Sequence, residues 1–514
     1  MRHCAGYAWL AQTYEVAVCQ PLKVRSTIGS MRKDSIVDGV LEQVFPAQYQ
    51  PGPTLAEHLT FAFKREPIHL ELLARLFSRI DPAELEQWIR AEPTGQYARR
   101  ACFLYEWFGN PALAYPGVEK GNYVEFMDGE RYLVSQAPQR NSRWRVIDNL
   151  PGTAHFCPLI RITQALAGLI DYDLNAELAR LGVEFGHDTL LRSAVWLTIK
   201  ESRSSFAIEH EEQQTDRIKR FAAVMEQRCG VGAPPLTQDQ IAAIQQEILG
   251  PRALSYGIRQ SPVFVGQTRG FQNVLHYLAP DWQEIEAMLQ GLQAFEINTR
   301  GSSSILRAAA ISFGFVYIHP LSDGNGRISR FLINDILRRD KAVPAPYILP
   351  VSAVMQDHTL RPQNYDQVLD EFSRPLMQMI EPAVRFEGYV KYPDGMESNL
   401  HYDGFADTAP AWRYIDLTAH AQYLARVLRQ TVEKEMRDEA SILRNHQLLR
   451  DAIKNVFEGP DADIDRIIRS VHQSEGQVGN KLLKQYPLLG DAGIRAEIVA
   501  LVAKFLGKKK PPDG

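Results

Sequence analysis

A helical period of apolar residues dominates this chain and limits the folds that it can adopt. Stretches such as LAEHLTFAFKR, HLELLARLFSRI and PAELEQWIRA repeat apolar side chains at the spacing that one face of an α-helix requires. The same period returns in the centre of the chain and near its C-terminus, whereas strict alternation is rare. The sequence therefore predicts an all-α fold.

One segment departs from the helical period. RQSPVFVGQ is rich in β-branched and aromatic residues, and LHYLAP follows after a short connection. These two stretches predict short strands that form one small β-hairpin on an otherwise helical domain.

The length of the chain limits the number of domains. A chain of 514 residues is long enough for roughly three domains. We predict an N-terminal helical region at 31–160, a central domain at 161–395 and a C-terminal helical region of unknown role at 396–514. Residues 1–30 are interpreted as an extension, either disordered or encoded upstream of the true start.

Charge and cysteine content exclude several classes of protein. A net charge of −4 argues against non-specific nucleic-acid binding as the main activity. The five cysteines are scattered and form no CxxC pair, which excludes a disulfide framework and the usual structural zinc spacings. No apolar run reaches the ~18 residues that a membrane span requires. We expect a cytoplasmic protein with no membrane contact.

The segment HPLSDGNGRISR, residues 319–330, gathers unusual side chains in a short stretch. Pro320 disfavours the α conformation at His319, which places the imidazole where the preceding helix ends. An ordinary pKa near ~6.5 suits that imidazole to act as a general base. Asp323 supplies a hard oxygen ligand of the kind that Mg²⁺ uses when it shares phosphate oxygens.

The second half of the same segment is suited to bind an anion. Gly324 and Gly326 flank Asn325 and permit positive φ, so that successive amide groups can turn inward as an anion nest. The stretch that follows is a predicted helix, whose N-terminus adds partial positive charge. Arg327 and Arg330 are placed on one side of its first turn. Together these residues predict a phosphate-binding site beside a base and a metal ligand.

This segment resembles the signature of the Fic family, H-P-F-x-D/E-G-N-G-R-x-x-R. Leu321 stands where the family has Phe, and we expect a change in packing without loss of chemistry. The resemblance covers roughly residues 190–375. It implies a helical Fic core with the hairpin as a flap, and it makes 161–395 the catalytic domain.

The resemblance implies a protein adenylyltransferase, which moves AMP from ATP to a Ser, Thr or Tyr hydroxyl of a target protein or of the chain itself. In that reaction His319 deprotonates the hydroxyl, and Asp323 holds Mg²⁺ against the phosphates. Gly324–Gly326, Asn325 included, bind the developing charge, while Arg327 and Arg330 bind the distal phosphates. Family members often dimerise, so a homodimer is a candidate assembly.

The flap is expected to set the position of the target hydroxyl. Its residues Val263, Phe264, Val265 and Gly266 can pair with the backbone of a target as an added strand does. The alternative is an ordinary buried hairpin. Tyr365 falls where family members often place an aromatic residue near the nucleotide.

A second resemblance lies upstream, in SSFAIEHE. Many family members carry an inhibitory helix with the pattern S/T-x-x-x-E-G/N, and Ser205 and Glu209 have this spacing on one helical face. The Glu209 carboxylate can pair with Arg330 and deny it to the γ-phosphate of ATP. His210 stands where the family has Gly or Asn. The alternative is that Glu209 is one of several solvated acids.

Two other functions fit the same residues. A Fic-fold enzyme can instead transfer UMP, phosphocholine or phosphate, or remove AMP from a modified protein. Alternatively, the chain is a regulatory binding module with a vestigial nucleotide site, and its C-terminal helices touch nucleic acid. The intact His319, Asp323 and both arginines favour an enzyme.

Overall fold

A computed structural model describes residues 3–37, 39–251, 256–269, 272–356, 364–474 and 476–506. The fold is mainly helical, as the sequence predicts, and the described residues also form small sheets beyond the one predicted hairpin. Within these ranges, no helix has both the length and the apolar character needed to cross a bilayer.

The N-terminal part of the chain combines helices with two small sheets. The first sheet contains β1 (His3–Ala5), β2 (Val24–Gly29), β3 (Lys33–Val37) and β4 (Val40–Pro46) in the order β1-β2-β4-β3, with β2 and β4 parallel. The helices are α1 (Tyr7–Thr13), α2 (Leu55–Arg65), α3 (Leu70–Phe77), α4 (Pro82–Ala91) and α5 (Gln96–Trp107). The second sheet contains β5 (Val124–Glu125), β6 (Gln139–Asn141) and β7 (Val146–Asp148) in the order β5-β7-β6.

The helices predicted for this region begin at ordinary capping residues. Thr54 caps α2 and accepts a hydrogen bond from the backbone N–H of Glu57. Asp81 caps α4, whose first residue is Pro82. The apolar faces of these helices pack into one N-terminal core.

Residues 3–29 belong to this region, in contrast to the expected extension. Tyr7 and Leu10 of α1 are almost fully buried. The backbone N–H of Tyr7 donates to Oε2 of Glu66 at 2.7 Å, and β2 pairs with both β1 and β4. The sequence did not show this packing because each element is too short for a clear period and its partners come from later residues.

A large central core contains the segment 319–330. Its helices are α6 (Gln164–Ile170), α7 (Leu174–Phe185), α8 (His187–Ile208), α9 (Thr215–Arg228), α10 (Gln238–Leu249), α11 (Ile285–Asn298), α12 (Ser304–Ile318), α13 (Asn325–Arg339), α14 (Val351–Met355), α15 (Tyr365–Ile380), α16 (Phe405–Arg413), α17 (Thr418–Gln430) and α18 (Arg437–Lys454). A π-helical turn, Thr431–Met436, joins α17 to α18. α12 is buried along almost its whole length and packs against α13.

Two β-hairpins lie on this central core. The predicted hairpin consists of β8 (Phe264–Arg269) and β9 (Gln272–Leu278). A second hairpin, β10 (Arg385–Lys391) and β11 (Glu397–His401), turns at a Pro-Asp-Gly sequence. That turn sequence is typical of hairpins, but the prediction did not include it.

The central core continues past the boundary predicted at 395. Its buried residues extend to Ala440, so α16 and α17 pack with the central helices. A separate cluster begins at Leu449 and joins the end of α18 with α19 (Asp461–Gln473), α20 (Asn480–Gln485) and α21 (Ala492–Leu506). An amphipathic pattern predicts a helix, but it does not show which core the apolar face covers.

Candidate active site

His319 lies directly after α12, at the start of the loop that leads to α13. It adopts φ 49° and ψ 57°, and Pro320 follows it. Nδ1 lies 3.2 Å from the carbonyl oxygen of Val316. Because a carbonyl can only accept, Nδ1 carries the proton and Nε2 keeps a lone pair. Burial, followed by the charge of Arg259, lowers the pKa of His319 to about 4, so the ring is neutral at pH 7.

The side chain of Asn325 holds the turn between His319 and α13 in shape. Its Oδ1 accepts from the N–H of Leu321 at 3.0 Å, and its Nδ2 donates to the carbonyl of Leu321 at 2.7 Å. Leu321, which stands at the position of the Phe in the family pattern, is fully buried. Gly324 has a φ of 96°, which favours glycine. Because the Asn325 side chain is bound within the loop, the groups in this turn that could bind an anion are the backbone amides at the start of α13.

Asp323 lies on the solvent side of this turn, with 47 % of its side chain exposed. Its carboxylate pairs with Arg327, one helical turn later. Gln245 donates to the Asp323 backbone carbonyl at 2.9 Å, which fixes the loop. In the part of the chain that the structure describes, no three His, Cys, Asp or Glu side chains form a metal cage. A single exposed carboxylate fits a Mg²⁺ that takes its other ligands from phosphates and water.

Arg330 is bound by the two residues of the predicted inhibitory motif. Its Nε donates to Oγ of Ser205 at 2.7 Å, and its Nη2 donates to the Ser205 carbonyl at 2.9 Å and to Oε1 of Glu209 at 2.8 Å. The side chain is only 1 % exposed. Its Nη1 is buried and has no hydrogen-bond partner among the described residues. The structure therefore brings Ser205, Glu209 and Arg330 together.

The Glu209 carboxylate also lies against the first turn of α13. A Cβ added to Gly326 would overlap with Oε1 of Glu209. Burial raises the pKa of Glu209, but Arg330 and then Arg327 oppose this effect, and the net pKa is below its usual range. A charged carboxylate thus lies at the positive end of a helix, in the position that suits a phosphate.

Arg327 pairs with a second carboxylate that the sequence pattern does not single out. Its Nη1 donates to Oε2 of Glu211 at 2.8 Å, and its Nη2 pairs with Asp323. The guanidinium lies 5.0 Å from the ring centre of Phe206. Both arginines of the motif are therefore paired with acids from EHEE. Spacing does not distinguish Glu211 from its acidic neighbours, so the fold was needed to find it.

A buried glutamate anchors α8, the helix that carries Ser205. Glu201 accepts from the backbone N–H of Ser352 at 2.7 Å and from its hydroxyl at 2.5 Å. Burial raises the pKa of Glu201 to about 7. Glu201 lies one helical turn before Ser205, so this contact holds the end of α8 beside Arg330.

His210 follows α8 in a left-handed conformation, with a φ of 57°. Its backbone N–H donates to the carbonyl oxygen of Ala207 at 3.0 Å. The backbone N–H of Glu211 donates to the carbonyl oxygen of Phe206 at 2.9 Å. Glycine and asparagine adopt this backbone with less strain than other residues. The left-handed turn gives a physical reason for the Gly or Asn that the family pattern has here.

His210→Gly is expected to stabilise the turn that carries Glu209. Loss of the β-carbon relieves strain of about 1 kcal/mol, so the thermal unfolding midpoint should rise. His210→Ala is the control, because it removes the imidazole but keeps the β-carbon, and it should gain no stability. A lower unfolding midpoint in the glycine variant would contradict this interpretation.

The hairpin β8–β9 lies next to His319 and exposes one of the predicted flap residues. At the base of the hairpin, the carbonyl oxygen of Val263 accepts a hydrogen bond from the backbone N–H of Ala279. The ring of Phe264 packs on that of Phe386, with the ring centroids 5.5 Å apart. A Cβ on Gly266 would overlap with the backbone of the opposite strand. Val265 is 44 % exposed. Among the four residues, Val265 therefore offers the most open side chain to a partner.

Tyr365 begins α15 and packs between two other aromatic rings. The centroids of Phe313 and Tyr423 lie 6.3 Å and 6.4 Å from its own. Burial raises the pKa of the Tyr365 phenol, and the charge of Arg330 opposes the shift. Tyr365 thus borders the arginine of the candidate phosphate site.

A neutral base, an exposed carboxylate and two guanidinium groups at a helix N-terminus are typical of enzymes that transfer phosphate-containing groups. Residues 235–337 match the model of the Fic/DOC family, and this range contains the hairpin and the whole segment 319–330. The chain therefore contains a segment, residues 235–337, that is similar to the Fic/DOC family. It is also similar to a Fic family protein from Desulfovibrio desulfuricans G20 of known crystal structure, with 17% identity and a TM-score of 0.35 over 68% of this chain and 86% of that chain.

Proposed function

We propose that this chain is a Fic-family protein adenylyltransferase that is inhibited by its own Glu209. The observation that carries the proposal is the contact between Arg330 and Glu209: the guanidinium of Arg330 donates a hydrogen bond to the Glu209 carboxylate at 2.8 Å. The same carboxylate covers the first turn of α13. A group of this charge in this position indicates that the free site binds a phosphate. The proposed partners are ATP and a hydroxyl of another protein or of the chain itself.

The proposed reaction is an in-line substitution at the α-phosphorus of ATP. The hydroxyl oxygen forms a bond to phosphorus while the bond to the departing pyrophosphate breaks, and Nε2 of His319 accepts the hydroxyl proton. Backbone amides at Gly324–Gly326 stabilise the negative charge on the phosphoryl oxygens. Bound Mg²⁺ would neutralise phosphate charge, and Asp323 would provide its protein ligand.

The proposed inhibition acts on both arginines through one short turn. Glu209 binds Arg330, and Glu211 binds Arg327. Because His210 alone separates these two carboxylates, one local movement of the turn would withdraw both of them from the guanidinium groups.

Transfer activity should depend on Mg²⁺ through Asp323. In a Glu209→Gly background, Asp323→Asn is expected to lower AMP transfer at least roughly 10²-fold, because charge on the phosphates is no longer neutralised. Chelation by EDTA should abolish the activity. The matched control is Asp239→Asn, which removes an exposed carboxylate on α10. The readout is protein-bound label from ATP labelled at the α-phosphate, and full activity in EDTA would refute the role of the metal.

Labelled ATP tests the proposed function itself. Wild-type, Glu209→Gly and His319→Ala proteins are incubated with Mg²⁺ and ATP labelled at either the α- or the γ-phosphate, alone and with a cell extract. We expect protein-bound label from the α-position only, increased in Glu209→Gly and absent in His319→Ala. Label from the γ-position would indicate phosphate transfer. Absence of label from both positions would favour another donor, AMP removal or a binding module.

A further inference from the structure

We propose that Arg259 is a positioning residue that fixes the flap relative to the catalytic histidine. This inference rests on the proposed transfer reaction. Arg259 lies just before β8, and its side chain is 1 % exposed. It is outside the signature 319–330, and neither the signature nor the flap stretch indicates a role for it.

One guanidinium group connects three parts of the site. Nε of Arg259 donates to the backbone carbonyl of His319 at 2.8 Å. Nη1 donates to the carbonyl of Ser261, before β8, and Nη2 to that of Pro280, after β9, each at 2.7 Å. Both ends of the hairpin and the catalytic histidine are therefore bound to one rigid, planar group.

Backbone contacts continue this connection on both sides. The N–H of Arg259 donates to the carbonyl of Pro320 at 2.9 Å. On the outer side, Asp394 of the second hairpin accepts from the N–H of Gln260 and from the hydroxyl of Ser261, each at 2.8 Å. The base of the flap is thus held between the second hairpin and the loop that follows His319.

The burial of Arg259 is explained by geometry and not by charge pairing. Among the described residues, no carboxylate forms an ion pair with it, and burial lowers its pKa to about 10. A buried cation without an acidic partner is unfavourable unless hydrogen bonds replace its lost contacts with water. Each of the three guanidinium nitrogens of Arg259 donates to a carbonyl from a different segment, and a lysine at this position lacks the fork that reaches all three.

Substitution of Arg259 is expected to lower the rate of transfer more than the affinity for the nucleotide. The flap is the element expected to place the target hydroxyl, and Arg259 sets its distance from His319. A misplacement of about 1 Å can lower a rate about 10²-fold. The described contacts of Arg259 are with the flap and with the loop after α12, and not with the arginines or amides of the phosphate site. ATP affinity should therefore change little.

The test separates positioning from stability. In the Glu209→Gly background, Arg259→Lys should lower kcat for AMP transfer about 10²-fold while the KM for ATP stays within about twofold. The matched control is Arg307→Lys, which alters a fully buried arginine bound to Glu296 and Asp340, away from the site. It should lower the unfolding midpoint but leave kcat unchanged. A kcat for Arg259→Lys equal to that of its parent, or a rise in KM alone, would overturn the proposal.

A second readout does not require enzyme activity. The charged groups that act on the His319 ring are Arg259, which lowers its pKa, and Glu209, which raises it; the ring of Tyr277 also packs nearby. By NMR titration in the wild-type background, the His319 pKa should rise in Arg259→Met and stay close to the wild-type value in Arg259→Lys. If Glu209→Gly transfers no AMP, the proposed function fails. The titration still tests whether Arg259 lies against His319. An unchanged pKa in Arg259→Met would overturn it.

Discussion

Glu209→Gly should transfer AMP roughly 10- to 100-fold faster than the wild-type protein under identical ATP and Mg²⁺ concentrations. The substitution removes the carboxylate that binds Arg330 at 2.8 Å and covers the first turn of α13. Both positions then become open to phosphate oxygens. The measurement is the initial rate of protein-bound label from ATP labelled at the α-phosphate.

The neighbouring acids provide the control for this prediction. Glu212→Gln removes one charge from the same acidic run at an exposed position and should leave the rate unchanged. Glu211→Gln releases Arg327 only, so we expect a smaller increase than with Glu209→Gly. Equal rates in wild-type and Glu209→Gly proteins would remove the inhibitory role of Glu209.

His319→Ala in the Glu209→Gly background should lower AMP transfer by about 10²- to 10⁴-fold, the usual range for loss of a general base. The reason is that Nδ1 is committed to the carbonyl of Val316, so Nε2 is the nitrogen that can accept the hydroxyl proton. The affinity for ATP should stay close to that of the parent. Initial rates and equilibrium ATP binding measure the two quantities separately.

A histidine outside the catalytic domain controls for the loss of an imidazole. His472→Ala alters α19 in the C-terminal cluster and should retain the full rate. Retention of the full rate by His319→Ala would show that the imidazole is not the base. If His319→Ala lost ATP binding together with its activity, the role of His319 would instead be to hold the loop between α12 and α13.

The sequence predicts best the parts of the site that are close together along the chain. Residues 319–330 form one loop and one helix turn, so their order alone places the base, the carboxylate and both arginines. Ser205 and Glu209 are separated from Arg330 by more than a hundred residues. They were found because a family pattern connects them, and not because spacing shows the contact.

Contacts without such a pattern could not be predicted. Arg259 and Glu211 are ordinary charged residues in sequence, and their roles depend on which segments the fold brings together. The same limit applies to the N-terminal sheet, whose strands are short and pair across intervening elements. The helices of residues 55–91 were predicted with nearly correct ends, because their caps and their apolar period are local.

Equilibrium binding of Mg²⁺-ATP tests most directly the claim that Arg330 binds a nucleotide phosphate once Glu209 is removed. Isothermal titration would compare Glu209→Gly with the double variant Glu209→Gly/Arg330→Gln. We predict clear binding by Glu209→Gly and an affinity at least roughly tenfold weaker in the double variant, because a charged hydrogen bond to phosphate is lost. Equal affinities in the two proteins, or no binding by Glu209→Gly, would contradict the assignment of this site.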